Sequence, residues 1–93
     1  MSKTKVLITG ITGQDGIFLT SHLLKKEDNL KVFGISRSEK NNNFYKNLND
    51  ITGEYDENNL KLIKLDLLNQ SDVERLLIDL KVDKIINFYM III

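Results

Sequence analysis

Three glycines spaced three apart, Gly10, Gly13 and Gly16, are the residues of this chain best suited to hold a ligand. They end the apolar run Val6-Leu7-Ile8 and pass directly into a helical pattern, so residues 6 to 19 read as strand, loop and helix. Glycines at this spacing let the backbone turn sharply, approach a pyrophosphate with no Cβ in the way, and pack a helix closely on the strand. The attraction would come from amide groups at the helix start, reinforced by the helix dipole, and needs no cationic side chain. The expected chemistry is dinucleotide capture; the alternative is a plain glycine-rich strand-to-helix turn.

The flanks sharpen this reading. The spacing GxxGxxG, preceded by Thr9, differs from the ordinary GxGxxG fingerprint and resembles the extended short-chain dehydrogenase/reductase superfamily. More narrowly, TGITGQDG at 9 to 16, followed by Leu19 and Leu23-Leu24, resembles the opening of the GDP-mannose 4,6-dehydratases, with Gln14-Asp15 as the specific part. The resemblance implies cofactor contacts from Gly10, Thr12, Gly13, Gln14, Asp15 and Gly16.

Cofactor choice is expected at the end of the second strand. An acidic residue there binds a ribose 2'-hydroxyl, and a basic one accommodates a 2'-phosphate. Ser36-Arg37-Ser38 stands at that tip with no acid before Glu39, and an arginine can grip phosphate oxygens bidentately. Arg37 and Ser38 therefore favour NADP, as the resemblance also implies; the alternative is a solvated loop arginine. Asp66-Leu67, closing a third strand, resembles the adenine-binding pair of the superfamily, with the carboxylate accepting from the exocyclic amine. The alternative is that Asp66 only starts a turn. Asn87 matches the fourth strand of the dehydratases, whereas bulky Phe88, Tyr89 and Met90 replace the small residues that follow there, so the resemblance runs over about 1 to 87.

The catalytic constellation implied by the resemblance, a Tyr followed four positions later by Lys, is missing. Tyr45, Tyr55 and Tyr89 are followed at that distance by Asn49, Asn59 and Ile93. No catalytic residue is assigned, and turnover of GDP-mannose would need a completing half.

The elements that must position these residues follow from periodicity. Strands are expected near 4–10, 31–36, 60–65 and 84–89, and helices near 15–27 and 70–80. Ile17, Leu19, Leu23 and Leu24 mark one face of the first helix, and lysines 25 and 26 suit its C-terminal end. His22 falls on the opposite, solvated face and receives no role. Val73, Leu76, Leu77 and Leu80 mark the second helix, with Ser71 and Glu74 read as its capping box. Residues 39–59, rich in asparagine, read as a long, weakly structured connection. The fold class is α/β, a partial Rossmann-type doubly wound parallel sheet of about four strands in the order 3-2-1-4.

Composition sets the outer bounds. Ninety-three residues make one small domain, read as an N-terminal NAD(P)-binding domain spanning 1–93 without the catalytic and sugar-binding parts. Thirteen basic and thirteen acidic side chains cancel, which gives no electrostatic case for nucleic acid or an anionic membrane. The absence of cysteine removes disulfides and thiolate metal sites, and no metal ligand set is assigned. Gly10 and Gly13 break the first apolar stretch too early for a secretory core, and 85–93 is too short to span a bilayer, so the chain reads as cytoplasmic. The apolar edge at 84–93 is expected to favour self-association. Two readings stand: the NADP-binding portion of a dehydratase-like enzyme, or a non-catalytic nucleotide-binding module or gene remnant.

Overall fold

The computed structural model describes residues 3–26, 29–36, 42–66 and 68–87. In chain order they form β1 (Thr4–Thr9), α1 (Gln14–Lys26), β2 (Leu30–Ser36), α2 (Asn42–Thr52), a 3-10 turn (Glu57–Asn59), β3 (Leu60–Lys64), α3 (Gln70–Leu80) and β4 (Lys84–Asn87). The strands make one sheet in the order β3-β2-β1-β4, with every neighbouring pair parallel. This is the expected topology; the outer part of the fourth expected strand, residues 88 and 89, lies outside the described residues.

The central strands β1 and β2 are buried on both faces because successive side chains alternate between two cores. Val6 and Ile8 join Ile17 of α1 and Phe44 and Leu48 of α2 on one side. Leu7 joins Phe33 and Ile35 on the other, with Leu76, Leu77 and Leu80 of α3 packed against them. The two layers are unequal: α1 and α2 both contribute buried residues, whereas α3 contributes none.

Two local expectations are corrected. The connection at 39–59 contains α2, because Phe44, Leu48 and Thr52 recur at four-residue spacing and are all buried against the sheet and α1. Burial of that stripe outweighs the poor helix propensity of the asparagines. Thr52 adds a buried hydrogen bond, its hydroxyl donating to Ser21 Oγ at 2.8 Å, and Lys25 Nζ donates to Ile51 O at 2.9 Å near the helix end. The second correction concerns the start of α3, where Asn69 and not Ser71 is the cap: its side chain accepts from the Asp72 N–H at 3.2 Å. Glu74 instead pairs along the helix with Gln70, one turn earlier. His22 is exposed, as its place on the helix wheel implied.

Gly34 sits in the middle of β2 for a reason of space. A Cβ there would lie 2.7 Å from Ile11 Cγ2 and 2.9 Å from Leu62 Cδ2, and closer still to Ile11 Cδ1. The missing side chain leaves a recess into which Ile11, wholly buried, inserts from the loop after β1.

Candidate functional site

In a parallel sheet all strands end at one rim, and here that rim carries the glycine loop. β1 lies between β2 and β4, so the chain leaves β1 for one side of the sheet and returns to it on the other. The crevice beyond such a reversal is where open α/β sheets bind ligands.

The loop from Gly10 to Gly13 is built by its glycines and by Ile11. Gly10 has φ of 68°, a left-handed conformation that glycine adopts without strain. The turn closes when the Gly13 N–H donates to Gly10 O at 3.1 Å, and the helix begins as the Ile17 N–H donates to Gly13 O at 2.9 Å. Gly16 faces back onto the loop, where an added Cβ would stand 2.6 Å from Gly10 O, Ile11 Cα and Ile11 O. Only glycine permits that approach of helix to loop. Ile11, held in the recess at Gly34, anchors the loop from below.

What remains at the surface is a backbone cradle. Thr12, Gly13, Gln14 and Asp15 are exposed, Gly10 is half-buried and Gly16 buried. Gly13 precedes α1 and offers no side-chain acceptor to the first helical amides, in contrast to Asn69, which caps α3 with its own carbonyl. The first amides of α1 can therefore take an acceptor from outside, such as a phosphate oxygen. Asp15 stands in the first turn, where a carboxylate complements the helix dipole.

Beside the loop, Thr9 and Asn87 stand opposite one another in the β1–β4 register, and the Thr9 hydroxyl donates to Asn87 Oδ1. This bond ties the strand ends across the crevice. Sequence reasoning singled out Thr9 ahead of the glycines and Asn87 on the fourth strand without pairing them; Thr9 is buried, and its partner lies 78 positions away.

At the far side of the same rim, the Leu65 N–H donates to Ser36 O at 3.0 Å, prolonging the pairing of β2 and β3 to the end of both. A cleft of about 430 Å³ opens there, lined by Lys64, Leu65, Asp66 and Leu68. Asp66 is exposed and shapes the following turn: Oδ1 accepts from the Leu68 N–H at 2.9 Å and its carbonyl from the Asn69 N–H at 3.0 Å. Turn formation uses one acceptor position of Oδ1, so the carboxylate keeps acceptor capacity toward the cleft. Arg37, Ser38 and Leu67 lie outside the described residues.

The model of the family described as GDP-mannose 4,6 dehydratase matches residues 7–89. The chain belongs to the GDP-mannose 4,6-dehydratase family. A GDP-mannose 4,6-dehydratase from Vibrio cholerae serotype O1 is 34% identical over 93 residues, an alignment covering 94% of this chain and 23% of the relative. The solved structure of a dTDP-glucose 4,6-dehydratase from Bacillus anthracis, in complex with NAD, overlays with a TM-score of 0.73 at 21% identity. That overlay covers 95% of this chain and 27% of the other, and it shows a shared fold. The chain thus spans about a quarter of the length of these dehydratases. Among the described residues no group of three or more His, Cys, Asp or Glu is placed to hold a metal ion, and no helix is long and apolar enough to cross a membrane.

Proposed function

We propose that this chain is the N-terminal NADP-binding domain, residues 1–93, of a GDP-mannose 4,6-dehydratase-like lyase. Its glycine loop would hold the cofactor pyrophosphate. The observation that carries the proposal is the cradle itself: an exposed helix start preceded by glycine at the reversal point of the sheet, held by Ile11 packed against Gly34. Gly10, Thr12, Gly13, Gln14, Asp15 and Gly16 would surround the phosphates, and Asp66 and Leu67 the adenine. Arg37 and Ser38 would meet the 2'-phosphate, which selects NADP over NAD. A nicotinamide cofactor supplies hydride transfer when bound, and this chain's residues would contribute binding and orientation.

The match to the family and the NAD complex of the dTDP-glucose dehydratase support a dinucleotide ligand. Within the 93 residues no Tyr is followed four places on by Lys, so GDP-mannose binding and dehydration are assigned to polypeptide completing the site. A second reading is a module that binds nucleotide without reaction. Under either reading the cytoplasm is the proposed compartment.

Calorimetric titration of NADP and NAD into wild type and Arg37→Ala tests the cofactor assignment. Tighter binding of NADP, lost in Arg37→Ala while NAD affinity is retained, is the expected result. Equal affinity for the two cofactors in wild type removes Arg37 from the site. Supplying the separately expressed C-terminal portion of a family member, then assaying GDP-mannose turnover, distinguishes a cofactor half from a silent module.

A further inference from the structure

A second cleft lies at the opposite rim of the sheet, away from the dinucleotide loop. Leu60, which lines it, is the first residue of β3, whereas the glycine loop follows the last residue of β1, and the strands run parallel. One lobe, of about 340 Å³, is lined by Tyr45, Tyr55, Glu57 and Leu60. A second, of about 530 Å³, is lined by Asn49, Gly53 and Glu54 and shares Tyr55 and Glu57 with the first. Both volumes are of the size that small molecules occupy.

Charge, hydrogen bonding and aromatic surface together restrict the ligand. Asp50, Glu54, Asp56 and Glu57 lie at or beside the cleft, and Lys3, Lys25, Lys46 and Lys61 border the same segment. Lys25 Nζ donates to Ile51 O at 2.9 Å, Lys3 Nζ donates to Asn59 Oδ1, and Lys46 and Lys61 directly follow Tyr45 and Leu60. The acids and lysines balance, so the surroundings favour neither a cation nor an anion. The lining itself is rich in acceptors: the Glu54 and Glu57 carboxylates only accept, and a phenol oxygen accepts as well as donates. Among the described residues, no hydrogen bond or ion pair engages the Tyr45 hydroxyl, the Tyr55 hydroxyl or the Glu57 carboxylate. A ligand that satisfies them must bring donors of its own. The aromatic surface comes from Tyr45 and Tyr55, both half-buried. Tyr45 is set in place by Phe44, a buried core residue whose ring meets it edge-on at 5.3 Å and 71°. Burial, and then the charge of Glu57, raise both phenols above their ordinary 10.0, so both hydroxyls keep their protons at neutral pH beside that carboxylate.

We propose that this cleft binds an uncharged, polyhydroxylated small molecule of the sugar class. A pyranose ring has an apolar C–H face that packs on an aromatic ring and a rim of hydroxyls that donate to carboxylate and phenol oxygens. The alternatives each fail one of the three conditions. A cationic ligand would need an excess of acid, an anionic one would face the Glu54 and Glu57 carboxylates, and a hydrocarbon would desolvate polar atoms without pairing them. An open cleft also suits a ligand whose outer hydroxyls stay hydrated. The site is separate from the sugar site assigned above to completing polypeptide, and it stands whether or not the glycine loop binds NADP.

The chain has no tryptophan, and two of its three tyrosines line the cleft, so tyrosine fluorescence of the full chain reports on occupancy. The probe is methyl α-glucopyranoside, compared with its cationic relative glucosamine and its anionic relative glucuronate. The expected result is a saturable change with the neutral glycoside, at a dissociation constant on the order of millimolar for a few contacts in an open site, and weaker binding of both charged relatives. In Glu57→Ala the affinity should fall about tenfold, the loss expected when hydrogen bonds to a charged acceptor are removed. Glu57 is exposed, so this variant keeps its fold, which circular dichroism checks. Amide shifts of the unmutated chain locate the site without any variant: those of Tyr45, Asn49, Tyr55 and Glu57 should move with the glycoside. No saturable change, tighter binding of glucosamine or glucuronate, undiminished affinity in Glu57→Ala, or shifts confined to other residues overturns the proposal.

Discussion

Replacing Gly16 by alanine tests the construction of the loop most directly. The added Cβ would stand 2.6 Å from Gly10 O, Ile11 Cα and Ile11 O, about 1 Å inside ordinary carbon contact distances. The obstructing atoms are main chain, so no rotamer change relieves the clash, and Ile11 is fixed by full burial. Overpacking of this kind costs about 1–3 kcal/mol, and rigid surroundings argue for the upper end. Against it stands the better helix propensity of alanine, about 1 kcal/mol over glycine. The expected net loss is roughly 1–2 kcal/mol, which at a urea dependence of about 1 kcal/mol per molar lowers the unfolding midpoint by about 1–2 M. Gly13→Ala is the matched comparison. Its Cβ would sit 3.4 Å from Gly10 O, an ordinary contact, and Gly13 is exposed. Loss of glycine at the helix start and reduced freedom of the unfolded chain oppose one another, so its stability should change by less than about 1 kcal/mol. Urea unfolding followed by far-ultraviolet circular dichroism reads both variants. A Gly16→Ala midpoint equal to or above that of wild type would refute the close approach of α1 to the loop. Gly13→Ala, folded as wild type, should lose dinucleotide affinity if the cradle binds phosphate through its backbone.

Three further outcomes are expected. Asn69→Ala should cost about 1 kcal/mol in urea unfolding and Ser71→Ala less than about 0.5 kcal/mol, because only Asn69 caps α3; the reverse order would restore the capping box. Tyr45 and Tyr55 have folded pKa values above the ordinary 10.0, so their contribution to stability is fully present below pH 10 and is lost as pH rises through the folded values. Tyrosinate absorbance should therefore titrate late in the folded chain, and Tyr45→Phe with Tyr55→Phe should remove the late phase; ordinary titration of all three tyrosines would contradict the burial and the proximity of Glu57. Finally, β4 is an edge strand, its Ile85 is 55% exposed, and the sequence runs on apolar beyond it, so sedimentation should show self-association that Ile85→Lys reduces. A wild type that remains monomeric at high concentration counts against that edge as a pairing surface.

Much of this protein was legible along the chain. The run Val6-Leu7-Ile8, the glycines at 10, 13 and 16 and the stripe of Val73, Leu76, Leu77 and Leu80 each carry their information within one strand or a few helical turns. The two main helices of the expectation and the place of the loop follow from such local patterns, because backbone hydrogen bonding and side-chain periodicity act over that range, and the sheet order follows from the right-handedness of parallel crossovers. Tertiary structure decided the rest. α2 exists because Phe44, Leu48 and Thr52 find a surface on α1 and the sheet, and asparagine composition conceals that surface in the sequence. Gly34 looks like a flaw in a strand until Ile11, 23 residues earlier, fills the space that a side chain there would take. Thr9 gains its place from Asn87, 78 positions away, and the Tyr45–Tyr55–Glu57 cleft arises where a helix and a turn are brought together at the start of β3. These features depend on the folded chain bringing distant residues within a few ångströms, a proximity that neither propensity nor spacing encodes.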